Sequence, residues 1–300
     1  MAFSRMMRVK QHFDAPALDD IPSAVRVEIA KLELSDKAKA GDSVAVSVGS
    51  RGIANIAVIT KVIIDELKAL GTEPFVVPAM GSHGGGTAEG QRAIVEGYGV
   101  TEEYIEAPIR SSMEVTQVGE TEDGVPVYFD KYAYEADHVV IAGRVKPHTS
   151  FTGEIESGLH KMMLIGLGKH KGAALYHQAI VHYSFDRIVR SVGQTVIDKC
   201  GVLFGLGIVE NQYDHTALVR AVAPADFVES EKELLMLAKR WMPSIPFERV
   251  DLLIVDRIGK NISGSGMDTN VIGRKYNDHY AAEKEYPKIT RIMVRDLTEE

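Results

Sequence analysis

Short apolar runs and stretches of helical period alternate along most of this chain. Residues 42–48 (DSVAVSV) are apolar at most positions and run into Gly49-Ser50-Arg51-Gly52, the pattern of a buried strand ending in a tight loop. Ile56, Ile59, Ile63, Leu67 and Leu70 then recur at helical spacing, with Gly71 placed to end that helix in a left-handed conformation. The unit repeats. Residues 75–78 read as a strand, residues 79–86 as a glycine-rich loop, and Thr87 as the N-cap of a helix through Glu96. A short helix is expected over residues 24–30. Residues 113–119 and 125–130 flank Asp123-Gly124 as a hairpin, expected to be peripheral. Residues 138–142 (HVVIA) form the next strand. Phe185, Ile188, Val189, Val192, Val196 and Ile197 predict a helix stopped by Gly201, followed by a strand over 202–209 that ends in Glu210-Asn211. A helix over 227–241 precedes Pro243 and Pro246, after which a strand over 250–255 opens into the small-residue loop 259–266.

Strands alternating with helices imply a mostly parallel sheet, because parallel neighbours need a crossover and the crossover is usually helical. The expected fold class is α/β: a mostly parallel sheet with flanking helices in a Rossmann-like N-terminal domain, residues 1–243, then a second α/β domain over 244–300. The second segment is shorter than the ~70–80 residues a self-sufficient core needs. It is therefore expected to be truncated, or to pack on the first. Ligands of parallel sheets bind beyond the carboxyl ends of the strands. Ser50-Arg51, Ser82-His83, residues 144–148, Glu210-Asn211 and Lys260-Asn261 each follow an expected strand, so all are expected to share one edge.

Composition narrows the function classes. With 45% hydrophobic and 25% charged residues among 300, the chain is that of an ordinary soluble protein, expected in the cytoplasm. A formal charge of -8 opposes a nucleic-acid binder that works by neutralising phosphates. No apolar run approaches the ~20 residues that span a bilayer, and the first residues lack an apolar signal core. The single cysteine, Cys200, excludes an internal disulfide and a cysteine-rich metal cluster.

Candidate chemistry concentrates in residues 144–182, which hold His148, His160, His170, His177 and His182 among lysines and glycines. Arg144 and Lys146 suit a substrate carboxylate, and proline fixes the backbone just before His148. Lys161 precedes Met162-Met163-Leu164-Ile165, where a lysine either loses its charge and turns nucleophilic or snorkels to water. Outside that stretch, His83 sits in a glycine-rich loop ahead of a helix N-terminus, a setting that favours anions. Arg51 and Lys260, each in a small-residue loop, are candidate phosphate contacts. His12, His138, His215 and His279 have no supporting neighbours and are taken as structural. The residues alone leave proton transfer, metal ligation and structural roles open for the others.

MGSHGGGTAEG (residues 80–90), RVKPH (144–148) and the segment from Lys161 to His177 resemble the nickel-dependent lactate racemase family, within its broader set of 2-hydroxy-acid racemases and epimerases. The resemblance runs from about Asp42 onward. It implies that Lys161 carries a nickel-pincer nucleotide through a thioamide link, that His177, sixteen positions on, binds the nickel, and that His83 and His148 form the proton-transfer pair. It implies a 2-hydroxy acid as substrate and dependence on cofactor-biosynthesis proteins. There are departures. The family's early Asp-x-Thr-Arg-Pro loop is here Gly49-Ser50-Arg51-Gly52-Ile53, a departure that bears on cofactor binding, and its Gly-Gly-Arg-Lys run is replaced by Ser157-Gly158-Leu159-His160-Lys161, which leaves the choice of 2-hydroxy acid open. Two competing expectations stand beside this one: a metal-dependent hydrolase or lyase with His83, His148 and His177 as direct ligands, and a non-catalytic protein that binds a nucleotide or organic anion.

Overall fold

The structure, a computed structural model, describes residues 6–299. It divides into two compact units, one spanning Ala17–Trp241, the other combining Met1–Pro16 with Met242–Glu300, of which residues 6–16 and 242–299 are described.

The larger unit is built on a five-stranded sheet of β1 (Ser43–Val48), β2 (Glu73–Pro78), β5 (His138–Arg144), β6 (Val202–Glu210) and β7 (Thr216–Val222), in the order β2-β1-β5-β6-β7. The first four are parallel and β7 closes one edge antiparallel to β6. Both faces are covered, as nearly continuous apolar strands require. Alternation along β1 sorts side chains between two cores. Val44, Val46 and Val48 join Ile59 and Ile63 of α2 (Ile56–Ala69), with α1 (Ile21–Ala30) against them. Ala45 instead joins Phe75, Ile141, Met163 and Leu164 on the opposite face. That second core also takes Ile188 and Val192 from the apolar stripe of a long helix, Phe185–Lys199, capped by Ser184 accepting from the Arg187 N–H at 3.2 Å.

From β1 the chain goes outward to β2, then returns to β5 on the other side of β1. The loops after β1 and β5 therefore diverge around a topological switch point, where parallel sheets form their binding crevice.

The hairpin of β3 (Val115–Glu120) and β4 (Pro126–Asp130) forms as expected but is not peripheral. Val127 and Phe129 are fully buried in the second core, and so is Asp130. Two of the unexpected elements bear on the site. Strand β7 follows a turn in which Asn211 Oδ1 accepts the N–H groups of Tyr213 and His215 at 2.9 and 3.2 Å, sending the chain back alongside β6. The other is the helical run through the histidine-rich segment: a short turn Leu159–Lys161, a π-helical turn Met162–Gly166 and the helix Lys169–His182. Numbered in chain order, the longer helices after α2 are α3 (Ala88–Gly97), α4 (Lys169–His182), α5 (Phe185–Lys199) and α6 (Phe227–Arg240). None of the described helices is long and apolar enough to cross a membrane.

The smaller unit pairs β8 (Arg249–Ile258) with β9 (Lys288–Leu297) in parallel. The crossover, residues 259–287, contains no helix among its described residues. It is held instead by Glu285, which accepts the N–H groups of Lys275, Tyr276 and Ala282 at 2.5, 3.1 and 2.7 Å. Leu252, Ile254 and Met293 remain exposed on this sheet. Lys260-Asn261 follows β8, so it belongs to this second sheet and not, as expected, to the same edge as the other four loops.

Candidate active site

The loop after β1 is tied to the loop after β2. Ser50 Oγ lies 2.5 Å from Nδ1 of the exposed His83, and the Ser50 carbonyl accepts from Tyr98 Oη at 2.5 Å. Burial raises the Tyr98 pKa, while Arg51 and Arg144 pull it down, which puts both guanidinium charges within electrostatic reach of this phenol. The His83 loop folds back on the first turn of α3. Gly84 is left-handed, with φ +67°, and a Cβ there would lie 2.6 Å from the Gly90 carbonyl carbon, so glycine is required by both conformation and space. Thr87 caps α3 by accepting the Gly90 N–H at 3.1 Å. Gln91, fully buried, donates from Nε2 to the carbonyls of Gly81 (2.8 Å) and His83 (3.3 Å), which fixes the loop from beneath.

The loop after β5 holds most of the charge. Arg144 is ion-paired with Glu210 at the end of β6, and the other Glu210 oxygen accepts the Ala54 N–H at 2.6 Å. Lys146 exchanges main-chain hydrogen bonds with Ser157 at 3.0 and 3.2 Å, an isolated antiparallel bridge that brings residues 157–161 back over the sheet edge. Lys161 consequently lies within electrostatic reach of Arg51 and Lys146. Its Nζ has Ser157 Oγ at 3.4 Å, and its pKa falls from the usual 10.5 to about 8, through burial first and then repulsion from Arg51 and Lys146. A lysine in that range is partly neutral near physiological pH and can act as a nucleophile.

His148 is fixed from several sides. Its N–H donates to Glu156 at 2.8 Å, and its Nδ1 accepts the N–H groups of Ser150 and Phe151, both at 3.0 Å. Phe151 stacks on the imidazole with centroids 4.5 Å apart, stacks on Phe185 at the same separation, and reaches the exposed His177 of α4 at 6.3 Å. A chain of rings thus runs from His148 to His177.

Two buried ionisable pairs lie under this edge. His160 Nδ1 meets Glu231 Oε2 of α6 at 2.7 Å, with both residues at most 1% exposed. Gly158 and Gly193 make room for the pair, since a Cβ at either would come within 2.2 Å of Glu231 or 2.6 Å of His160. Lys169, with φ +54°, sends its amine inward to the Pro78 carbonyl (2.5 Å), Gln91 Oε1 (3.1 Å) and Asp130 (3.1 Å). Burial lowers the Lys169 pKa and raises that of Asp130, each opposed by the other's charge. Through Gln91, Lys169 connects the start of α4 to the His83 loop.

Among the residues expected from the sequence, the structure therefore brings Arg51, Lys146 and Lys161 into one electrostatic neighbourhood at the switch point. It links His83 to that loop through Ser50, and His148 to His177 through Phe151. Arg144, expected at a substrate carboxylate, is engaged by Glu210, and Lys260 lies in the other unit. Among the described residues no three His, Cys, Asp or Glu side chains are grouped to hold a metal ion. Sequence reading passed over Phe151, Gln91 and Glu231. Glu210 was legible only as a carboxylate at a strand end.

Residues 6–187 match the family model described as the lactate racemase N-terminal domain. Among solved structures, the lactate racemase apoprotein from Thermoanaerobacterium thermosaccharolyticum is similar at 14% identity and a TM-score of 0.56, over 80% of this chain and 59% of that one. A protein from Thermotoga maritima is similar at 14% identity and the same TM-score of 0.56, over 78% of this chain and 64% of its own. The chain thus spans less than two thirds of either structure, and at this identity the likeness is one of fold. No curated protein matches it.

Proposed function

Because the chain belongs to the lactate racemase N-terminal domain family, whose model covers residues 6–187, we propose that it racemises or epimerises a 2-hydroxy acid with a lysine-tethered nickel-pincer nucleotide. The observation that carries the reading is the Lys161 amine, held near a pKa of about 8 beside Arg51 and Lys146. An amine able to lose its proton suits a covalent link, and the two neighbouring cations suit the anionic groups of a nucleotide. The donor set fits as well. A nickel whose sulfur and carbon ligands belong to the cofactor needs one imidazole from the protein, for which His177 is available on α4. The one cysteine, Cys200, is buried and its thiol is pushed up to about 12, which suits it poorly to metal binding.

When bound, the nickel-pincer nucleotide supplies an acceptor for the C2 hydride. The chain's own residues do the rest. Lys161 holds the group by its amine and His177 ligates the metal. Arg51 meets phosphate, Lys146 attracts the substrate carboxylate, and His83 and His148 face the C2 oxygen as its proton partners. A carboxylate that approaches Arg144 has to compete with Glu210. The reading implies dependence on the proteins that make the cofactor, and a cytoplasmic setting.

Intact-mass spectrometry of protein co-produced with the cofactor-biosynthesis enzymes tests this. The expected result is an adduct on Lys161 that Lys161→Ala abolishes. An unmodified mass despite demonstrated cofactor supply overturns the reading.

A further inference from the structure

The turn Leu159–Lys161, which carries the lysine of the racemase reading, is three residues long, follows Gly158 and has no side-chain cap of its own. The first N–H groups of a helical turn find no partner inside it. Here one of them is met from another helix. The His160 N–H donates to Glu231 Oε2 of α6 at 3.1 Å, and His160 Nδ1 meets the same oxygen at 2.7 Å. Both side-chain hydrogen bonds that Glu231 makes among the described residues go to this one residue. Its other oxygen, Oε1, is buried and accepts none among them.

A fully buried carboxylate is a poor device for stability alone, because its desolvation offsets what the pairing gains and an apolar pair of similar volume often does as well. The place of this pair supplies another reason for it. Through it α6 grips the residue directly before Lys161. Upstream, Lys146 and Ser157 exchange main-chain hydrogen bonds at 3.0 and 3.2 Å, and the Met162 N–H donates to the Gly158 carbonyl at 3.0 Å. The imidazole itself is closed in. Phe227 of α6 lies edge-on to it at 6.2 Å, and a Cβ on Gly193 of α5 would come 2.6 Å from its Cδ2. A shift of the turn therefore breaks the pair.

We propose, resting on the racemase reading, that Glu231 is a positioning residue: acting through His160, it holds the turn so that the Lys161 amine stays withdrawn from bulk water and within electrostatic reach of Arg51 and Lys146, where the cofactor link forms. Glu231 makes and breaks no bond itself. Position and charge predict opposite signs. Loss of a carboxylate charge near an amine lowers the pKa of that amine, whereas a loosened turn lets Lys161 into water and raises it from about 8 toward 10.5.

Acylation of Lys161 against pH, read by peptide mass spectrometry on the full chain without cofactor, separates the two. The double variant His160→Leu with Glu231→Leu replaces the pair by apolar groups and leaves the N–H of position 160 without its acceptor. It is expected to stay folded, with the midpoint raised by about half a unit or more. Glu231→Gln, whose amide oxygen still accepts that N–H, is expected to unfold at lower denaturant concentration, because its amide N–H groups have no acceptor, yet to hold the midpoint within about 0.2 unit. A midpoint that stays or falls in the double variant overturns the proposal, and so does an equal shift in Glu231→Gln. Glu231→Met, which removes the acceptor alone, is read in the same way and carries the test where the double variant does not fold. In protein co-produced with the cofactor-biosynthesis enzymes, the double variant is expected to carry about a tenth or less of the wild-type Lys161 adduct. Full adduct in that variant sinks the positioning role with the racemase reading intact. A wild type without adduct overturns the reading instead, whatever the midpoints show.

Discussion

Lys161 and Lys169 stand on either side of the π-helical turn Met162–Gly166, and their surroundings have opposite consequences. Lys169 is fully buried, yet it has Asp130, Gln91 Oε1 and a carbonyl around its amine. Lys161 is partly reached by solvent. It has a serine hydroxyl at 3.4 Å, and its charged neighbours are the like charges of Arg51 and Lys146. Burial is the larger cause of the lowered pKa at both lysines, so depth alone does not distinguish them. The sign of the neighbouring charge separates them, adding to burial at Lys161 and opposing it at Lys169, and the switch point between β1 and β5 is where the fold gathers positive charge.

Matched substitutions test this contrast, because they should move stability in opposite directions. Lys169→Met strands a buried Asp130 and is expected to cost about 3–5 kcal/mol in chemical denaturation. Lys161→Met is expected to stabilise the protein at neutral pH by up to about 3 kcal/mol, since holding a lysine at about 8 instead of 10.5 costs that much. The sign follows from proton binding. Between pH 8 and 10.5 the unfolded chain binds more protons at residue 161 than the folded one, so wild-type stability rises with pH across that window. The gain from Lys161→Met is full below about pH 8 and disappears toward 10.5. Equal and same-signed effects of the two substitutions would dissolve the comparison.

A smaller effect concerns reactivity alone. Acylation of Lys161, followed by peptide mass spectrometry against pH, is expected to show a midpoint near 8, while Lys169 stays unlabelled in folded protein. The smallest is a shift of that midpoint. Arg51→Ala removes one repelling cation and is expected to move it upward, and no movement would mean that Arg51 does not contribute.

Much of the fold was legible because the signals were local. Strands β1, β2, β5, β6 and β8 show as apolar runs ending in glycine or polar loops, and α2 and α5 carry large apolar residues at helical spacing. Helix α4 did not show, because its buried face is made of Gly172, Ala173, Tyr176 and Ala179, and small residues contribute little to a hydrophobic period. Strand β7 depends on the Asn211 turn and on pairing with β6, which a window of sequence does not report. The same division holds for the site. The residues of the sheet edge were legible from their places after strands. Their partners were not: Glu231 lies 71 positions from His160 and Glu210 lies 66 from Arg144, and nothing in their spacing announces the pairing. The two N–H groups that meet His148 Nδ1 also belong to a loop whose conformation the sequence does not give.

The β8–β9 sheet has a consequence for how the protein behaves in concentrated solution. Two parallel ten-residue strands make a sheet with two outer edges, and exposed Leu252, Ile254 and Met293 lend it the apolar character that invites strand addition and aggregation. Asp251, Asp256, Arg257, Arg291, Arg295 and Asp296 interrupt both strands with exposed charge, and Arg295 lies 3.3 Å from Asp256 across the pair. These residues act as gatekeepers: a second copy of either strand added in parallel register beside its own counterpart sets like charges opposite each other, which disfavours the growth of a ribbon.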